Sequence, residues 1–265
     1  MDPSTTRFAL RYFCGALGLA AAISQFGCAE APPEETPMTA RRSVQDVHAM
    51  FGQAAESRLR PAFEQAGMPF PPQKIALLAF KSEKRLELWA KHNNRWMLIK
   101  PYPIFAASGG PGPKLQEGDR QVPEGVYRIE YLNPNSNFHL SMKLNYPNFD
   151  DMERALDDGR TNLGGQIFIH GSAVSIGCIA VGNRAIEELF TLVSRVGAEQ
   201  VQVVIAPKDF RRAPVGPIYE WQPYWVPDLY ANISTALHQF PVDGGLQANA
   251  VPVVAAMPST ETPAP

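Results

Sequence analysis

From Lys74 onward the apolar positions fall in short runs rather than in helical stripes. "KIALLAF" (74–80), "RLELWAK" (85–91) and "RWMLIKPY" (95–102) are separated by "KSEK" and "HNN". Short apolar runs bounded by polar turn residues predict strands of an antiparallel meander. "VPEGVYRIEYL" (122–132) and "NFHLSMKLNY" (137–146) predict a further strand pair around the turn-rich "NPNS" (133–136). "GQIFIH" (165–170) and "VQVVIA" (201–206) are β-branched and predict more deeply buried strands. The period changes in "NRAIEELFTLVSRVG" (183–197), where Ile186, Leu189, Phe190 and Val193 share one helical face. Asn183 is its expected N-cap and Gly197 its stop. Residues 43–66 show the same spacing through Val44, Val47, Met50, Phe51, Ala54 and Ala55, with Ser43 as N-cap and Gly67 as stop. Pro61 is expected to interrupt or kink that helix. "YEWQPYWVPDLYANISTALHQF" (219–240) is aromatic and partly helical. The pattern predicts a mainly β domain with peripheral helices (α+β) over 70–241, preceded by a helical segment at 43–69.

The two ends carry no such pattern. Arg7 and Arg11 precede an apolar run from Tyr12 to Ile23, too short for a bilayer span. That is the layout of a secretory signal peptide over 1–28. "QFGC" sets a glycine before Cys28, as a lipid-anchored leader does, while cleavage near Ala29 or Ala31 is the competing reading. A proline-rich linker (29–42) follows, and an Ala/Pro-rich segment (242–265) is expected to be disordered. The expected location is the periplasm or cell envelope, with a lipid anchor at Cys28 as one form.

Composition then removes function classes. The 265 residues are 45% hydrophobic with a formal charge of −2, which offers no general attraction to nucleic acid. A nucleotide-binding glycine pattern, an HExxH box and a paired CxxC are all missing from the sequence, so no cofactor is expected. Metal is not expected either. One cysteine and one histidine fall short of a catalytic zinc set unless His139 joins them.

Of three cysteines, Cys14 lies in the leader and Cys28 at its end, leaving Cys178 as the only thiol of the folded domain. A lone thiol in an oxidising compartment reads either as a small buried hydrophobe or as a reactive group. Its surroundings favour the second reading. "GGQIFIHGSAVSIGCIAVG" (164–182) brings a strand up to His170, turns at Gly171 and returns to Cys178 after seven residues. A neighbouring imidazole supplies the base that a thiol nucleophile needs, and the expected thiol pKa is depressed, with alkylation inflecting below about 8.5. The backbone N–H groups of Gly177 and Cys178 are the expected oxyanion hole.

"IHGSAVSIGCIA" resembles the His-Gly…Ser-x-Gly-Cys signature of the L,D-transpeptidase (YkuD-type) catalytic domain, in its YafK-like branch. "GPKLQEGDRQVPEGVYRI", "LNPNSNFHLSMKLNYPN" and "APKDFR" are similar to further blocks of that branch, in the same order. The resemblance covers roughly 74–240. It implies a β-sandwich-like domain and a cysteine acyl-enzyme formed on peptidoglycan stem peptides. Cys178 would attack the L-centre carbonyl of the diamino acid at position three. His170 would carry the proton, and the Gly171 backbone carbonyl would orient the imidazole. The acyl group then passes to an amine, giving cross-linking or protein attachment, or to water, as in detaching a lipoprotein from peptidoglycan. Ile176 stands where the commoner family box has a second histidine and Ala180 where it has an arginine, which leaves transfer against hydrolysis open. A non-catalytic cell-wall-binding lipoprotein is the third reading, and an amidase acting on another amide is a further one.

Ser175, His139, Tyr146, Asn148 and Arg120 are the candidate substrate contacts. Each has a plain structural alternative, in a turn, on a strand or as a solvated charge. Lys114 and Arg160 are loop cations with the same two readings. Trp221, Tyr224 and Trp225 read first as a cluster closing the core and second as a glycan platform.

Overall fold

A computed structural model describes residues 41–216 and 220–242. The expected leader, most of the linker and the expected C-terminal tail lie outside them.

The chain opens with α1 (Val44–Val47), a π-helical turn (His48–Gly52) and α2 (Gln53–Gln65). Ser43 caps the start: its hydroxyl accepts from the Asp46 N–H, and the Asp46 carboxylate accepts from the Ser43 N–H. The break falls at Gly52, not at Pro61, which the helix carries through. Pro61 is exposed, so its ring meets solvent. At Gly52 a Cβ would lie 2.8 Å from His48 Nδ1. The π turn there accompanies a reach of His48 Nε2 to Ser194 Oγ at 2.6 Å.

The expected meander forms as β1 (Lys74–Phe80), β2 (Arg85–His92) and β3 (Arg95–Pro103), antiparallel throughout. Asn93 and Asn94 both take positive φ, the requirement of a tight hairpin. β4 (Ala106–Ala107), β5 (Gly125–Asn133), β6 (Ser141–Leu144), β7 (Phe168–His170), β8 (Ile179–Ala180) and β9 (Val201–Ala206) complete one nine-stranded sheet. Its order is β3-β2-β1-β9-β5-β6-β7-β8-β4. β5 joins the two halves: its first residues pair with β9 and its last with β6, with a bulge between Ile129 and Tyr131. The architecture is mainly β with peripheral helices.

Two helices follow the sheet's faces. α4 (Asn183–Val196) covers one side, and Ile75, Leu77, Ala79, Val203 and Ile205 pack there with Ile186, Leu189, Phe190 and Val193. α5 (Val226–Leu237) covers the other, against Ala76, Leu78, Phe80 and Val204. Burial on both faces is why "KIALLAF" reads as a continuous apolar run and not as an alternation. The N-cap of α4 is Gly182, not Asn183. The Asn183 carboxamide instead accepts from the Ser172 N–H at 2.7 Å, tying the helix start to the loop after His170. A further helix, α3 (Phe149–Asp157), was not expected, although Asn148 and Asp151 form a capping box at its start. Its apolar residues Phe149, Met152 and Leu156 stay exposed, so no buried stripe announces it.

The helical segment at the N-terminus is fastened by charge. Glu188 on α4, fully buried, accepts from Arg58 of α2, Lys100 and Tyr102. A buried carboxylate with three donors avoids the desolvation cost of an unpaired charge. No helix among the described residues is long and apolar enough to cross a membrane.

Candidate active site

The short strands β6, β7 and β8 separate apolar from polar positions by their period of two. Met142, Ile169 and Ile179 align across the three strands and join the main core. Ser141, His170 and Ala180 align on the other face, as do Lys143 and Phe168. Cys178 lies one residue before β8 and two before Ala180, which sets it on the His170 side. A diagonal pair across adjacent strands has Cα atoms about 7–8 Å apart, within reach of an imidazole. Parallel neighbours are normally joined by a dozen or more residues. Here residues 171–178 suffice because the strands are three and two residues long.

That loop is held at many points. Gly171 N–H donates to Leu140 O at 3.1 Å, Val181 N–H to His170 O at 3.0 Å and Gly182 N–H to Ser172 O at 3.0 Å. Ser172 and Gly177 take φ of 63° and 94°. The Ser175 hydroxyl accepts from Cys178 N–H at 2.9 Å and donates to Cys178 O at 2.7 Å.

His170 is 1% exposed. Its Nδ1 donates to the Gly171 carbonyl at 2.6 Å, which leaves Nε2 with its lone pair free to take a proton. The Phe138 ring lies 4.5 Å from the imidazole and covers it. Burial pushes the His170 pKa down, and the Gly171 carbonyl offsets part of this, so the ring is neutral at pH 7.

The thiol departs from the sequence expectation. Burial pushes the Cys178 pKa up rather than down. A backbone hydrogen bond from Phe168 and the charges of Lys114 and Lys143 oppose this without overcoming it. The thiol also donates to the Gln166 carbonyl at 3.5 Å, which favours the protonated form. At rest the thiol and the imidazole are therefore both neutral. A neutral thiol and a neutral imidazole in general react by moving the proton as the sulfur attacks, without a preformed ion pair.

The two backbone N–H groups expected to form the oxyanion hole have side-chain partners at rest. Cys178 N–H points to Ser175 Oγ, and Gly177 N–H points to Ser108 Oγ at 2.5 Å. Both backbone donors are engaged by hydroxyls in the resting site.

The candidate substrate contacts separate clearly. Arg120 is exposed with φ 58°, and no hydrogen bond or ion pair engages its guanidinium among the described residues. It precedes Gln121, whose carbonyl lies 3.5 Å from where a Gly177 Cβ would sit, so this loop borders the cysteine. His139 turns away instead. Its Nε2 meets Glu187 at 3.0 Å and its ring packs edge-on against Phe51, so it fastens the N-terminal helix to α4. Asn148 caps α3 and donates to Val126 O, and Tyr146 is buried and donates to Leu163 O. Ser175 clamps the turn. Lys114 is buried and paired with Asp119 at 2.6 Å. Arg160 pairs with Asp158 and lies over Trp225, which is itself buried, whereas Trp221 and Tyr224 are exposed. The core-closing reading thus holds for Trp225 alone.

Two residues at the site carried no sequence assignment. Lys143 is buried beside Phe168, with Nζ donating to Leu144 O, Tyr146 O and Glu130. Its place on the polar face was readable from the alternation in "SMKL". Ser108, in "AASGGPGPK", had no signal beyond nearness to the Lys114 block.

Residues 75–205 match the family model of the L,D-transpeptidase catalytic domain, YkuD. A YafK protein of Escherichia coli (strain K12), named for L,D-transpeptidase activity, is 36% identical over 138 residues, 50% of this chain and 54% of that protein. The chain thus spans about half the length of the curated relatives it matches. Among solved structures, the helical cell shape determining protein Pgp2 from Campylobacter jejuni is 26% identical and covers 51% of this chain and 48% of its own, with a TM-score of 0.42. Bd1075 of Bdellovibrio bacteriovorus is 21% identical, covering 51% and 49%, with a TM-score of 0.39. Through residues 75–205, which hold both His170 and Cys178, the chain belongs to the YkuD family of L,D-transpeptidase catalytic domains.

Proposed function

We propose that this protein is an exported, cysteine-dependent L,D-transpeptidase of peptidoglycan stem peptides. Family membership supports a peptidoglycan-related L,D-transpeptidase function. The observation that carries the finer reading is His170, with Nδ1 held by the Gly171 carbonyl and Nε2 free, on the same strand face as Cys178. In this reading Nε2 takes the thiol proton as Sγ attacks the L-centre carbonyl of the diamino acid. A C–S bond forms and the carbonyl π pair moves to oxygen. Collapse of that adduct breaks the C–N bond, and the imidazolium returns its proton to the leaving amine. An acceptor amine then resolves the acyl-enzyme. Arg120, with its unengaged guanidinium at the border of the site, is the residue proposed to meet a substrate carboxylate.

A second reading replaces the acceptor amine by water, and one feature favours it. Ala180, where the commoner family box has an arginine, is fully buried against β4, and Ile176 is 77% exposed. Neither offers an acceptor a polar grip, and a transferase must hold its acceptor while keeping water out. Detachment of a lipoprotein linked to the diamino acid would be such a hydrolysis. Incubation with disaccharide-tetrapeptide separates the readings by product mass. A cross-linked dimer marks transfer, loss of the terminal residue alone marks hydrolysis, and a lysine-linked tripeptide tests detachment. Products unchanged by Cys178→Ala would rule out both.

A further inference from the structure

The resting site places a hydroxyl where each expected oxyanion donor points, and hydrogen counting tells the two hydroxyls apart. A serine hydroxyl has one proton to give. Ser175 Oγ accepts from Cys178 N–H and gives its proton to Cys178 O, closing a local circuit. Ser108 Oγ accepts from Gly177 N–H at 2.5 Å, and its own proton has no acceptor among the described residues. Ser108 follows β4, which pairs with β8 in the register Ala107↔Ile179. The pairing carries Ser108 alongside Cys178, across one strand spacing of about 4.8 Å. Beside it, Gln121 Oε1 is buried without a partner and lies against Gly109, while the Gln121 carbonyl abuts Gly177. This corner therefore offers one unused donor and one unused acceptor, the complement of a peptide bond.

We propose that Ser108 is a catalytic residue whose hydroxyl donates to the oxyanion formed at Cys178, with Gly177 N–H behind it as the group that orients and polarises it. As the C–S bond forms, the carbonyl π pair becomes an oxygen lone pair, and the Ser108 proton bonds to that oxygen without leaving Ser108. Collapse returns the pair to the carbonyl and expels the amine with the proton held by His170. A hydroxyl already held by the Gly177 N–H needs little reorganisation when charge develops, which is what makes such donors effective. This assignment rests on acyl transfer at Cys178, not on the identity of the peptidoglycan substrate.

The test compares two reactions of the thiol in the full chain. p-Nitrophenyl acetate acylates through a tetrahedral oxyanion, whereas iodoacetamide alkylates without one. Ser108→Ala is expected to slow Cys178 acylation by about 100-fold, the usual loss of one such donor. Iodoacetamide alkylation should stay within about twofold, since it makes no call on that donor. Ser108→Thr, which keeps the hydroxyl, should recover most of the acylation rate. On a stem tetrapeptide the Ser108→Ala loss should appear in kcat with KM little changed. Equal losses in both reactions would show that Ser108 only ties the loops together and would overturn the proposal. So would unchanged acylation in Ser108→Ala, or a wild type that alkylates but is not acylated. Normal acylation without turnover of any stem peptide would instead defeat the substrate reading and leave Ser108 in place.

Discussion

Gly171→Ala probes how tightly the site is built into the fold. A Cβ at 171 would lie 2.5 Å from the Phe138 carbonyl oxygen, 2.8 Å from Asn183 Oδ1 and 3.1 Å from Ile186 Cγ2. None of these neighbours is free to move. Phe138 O accepts from Leu140 N–H at 3.0 Å and Asn183 Oδ1 from Ser172 N–H at 2.7 Å. Ile186 is fully buried. Overpacking in a dense region costs about 1–3 kcal/mol, and two disturbed hydrogen bonds add about 1 kcal/mol each. The expected loss is about 3–5 kcal/mol, or about 6–20 °C in the unfolding midpoint of a domain this size. Activity should fall as well, because Phe138 covers the His170 ring and the Gly171 carbonyl sets its tautomer. Scanning calorimetry on the wild type, Gly171→Ala and Gly110→Ala checks this. An added Cβ at Gly110 meets nothing within 4 Å, so that variant should match the wild type. A Gly171→Ala midpoint within about 1 °C of wild type, below the roughly 2–4 °C that one kcal/mol moves a domain this size, would refute the packing argument.

Three further outcomes follow from the same structure. Iodoacetamide alkylation of Cys178 should inflect above the free-thiol value of about 8.5, since burial raises its pKa; an inflection below that value would restore a preformed thiolate. Asp151, raised to about 6 by burial, binds a proton in the folded state that the unfolded chain releases near 3.8. Stability therefore falls as pH rises from 3.8 to 6, by up to about 3 kcal/mol. In Asp151→Asn the amide can donate to Tyr127 Oη while Tyr127 donates to Glu124 O, so this variant should be more stable than wild type at pH 8 and little different at pH 4. Equal stability at pH 8, measured by urea titration, would contradict the cost assigned to the buried charge. Ser175→Ala removes both clamps on Cys178, at about 1–2 kcal/mol, and should lower kcat/KM about tenfold, a loss of about 1.4 kcal/mol; unchanged turnover would make the clamp dispensable.

The strands of the meander were readable in the sequence because their runs end in turn residues whose conformations the structure requires, Asn93 and Asn94 above all. The placement of His170 and Cys178 toward one strand face was readable for a similar reason: a strand, a glycine and a short return leave few places for the cysteine to go. Three features were not readable, each for a physical cause. α3 exposes its apolar residues, so burial leaves no stripe to find. The helix break moved from Pro61 to Gly52 because the proline faces solvent, whereas position 52 meets His48. The thiol pKa depends on desolvation and on Lys143, which lies 35 positions before Cys178 in the chain. Spacing within "IHGSAVSIGC" carries no information about either. His139 shows the same limit, since its block lies beside the site while its own side chain faces α4.

The proposed function requires an acyl-enzyme on Cys178. Quenching the protein during turnover of a stem tetrapeptide and mapping its peptides by mass spectrometry tests it directly. The stem-peptide acyl group is expected on the peptide containing Cys178, formed by the wild type and missing from Cys178→Ala. Turnover with no adduct on Cys178, or an adduct carried by another residue, would contradict it.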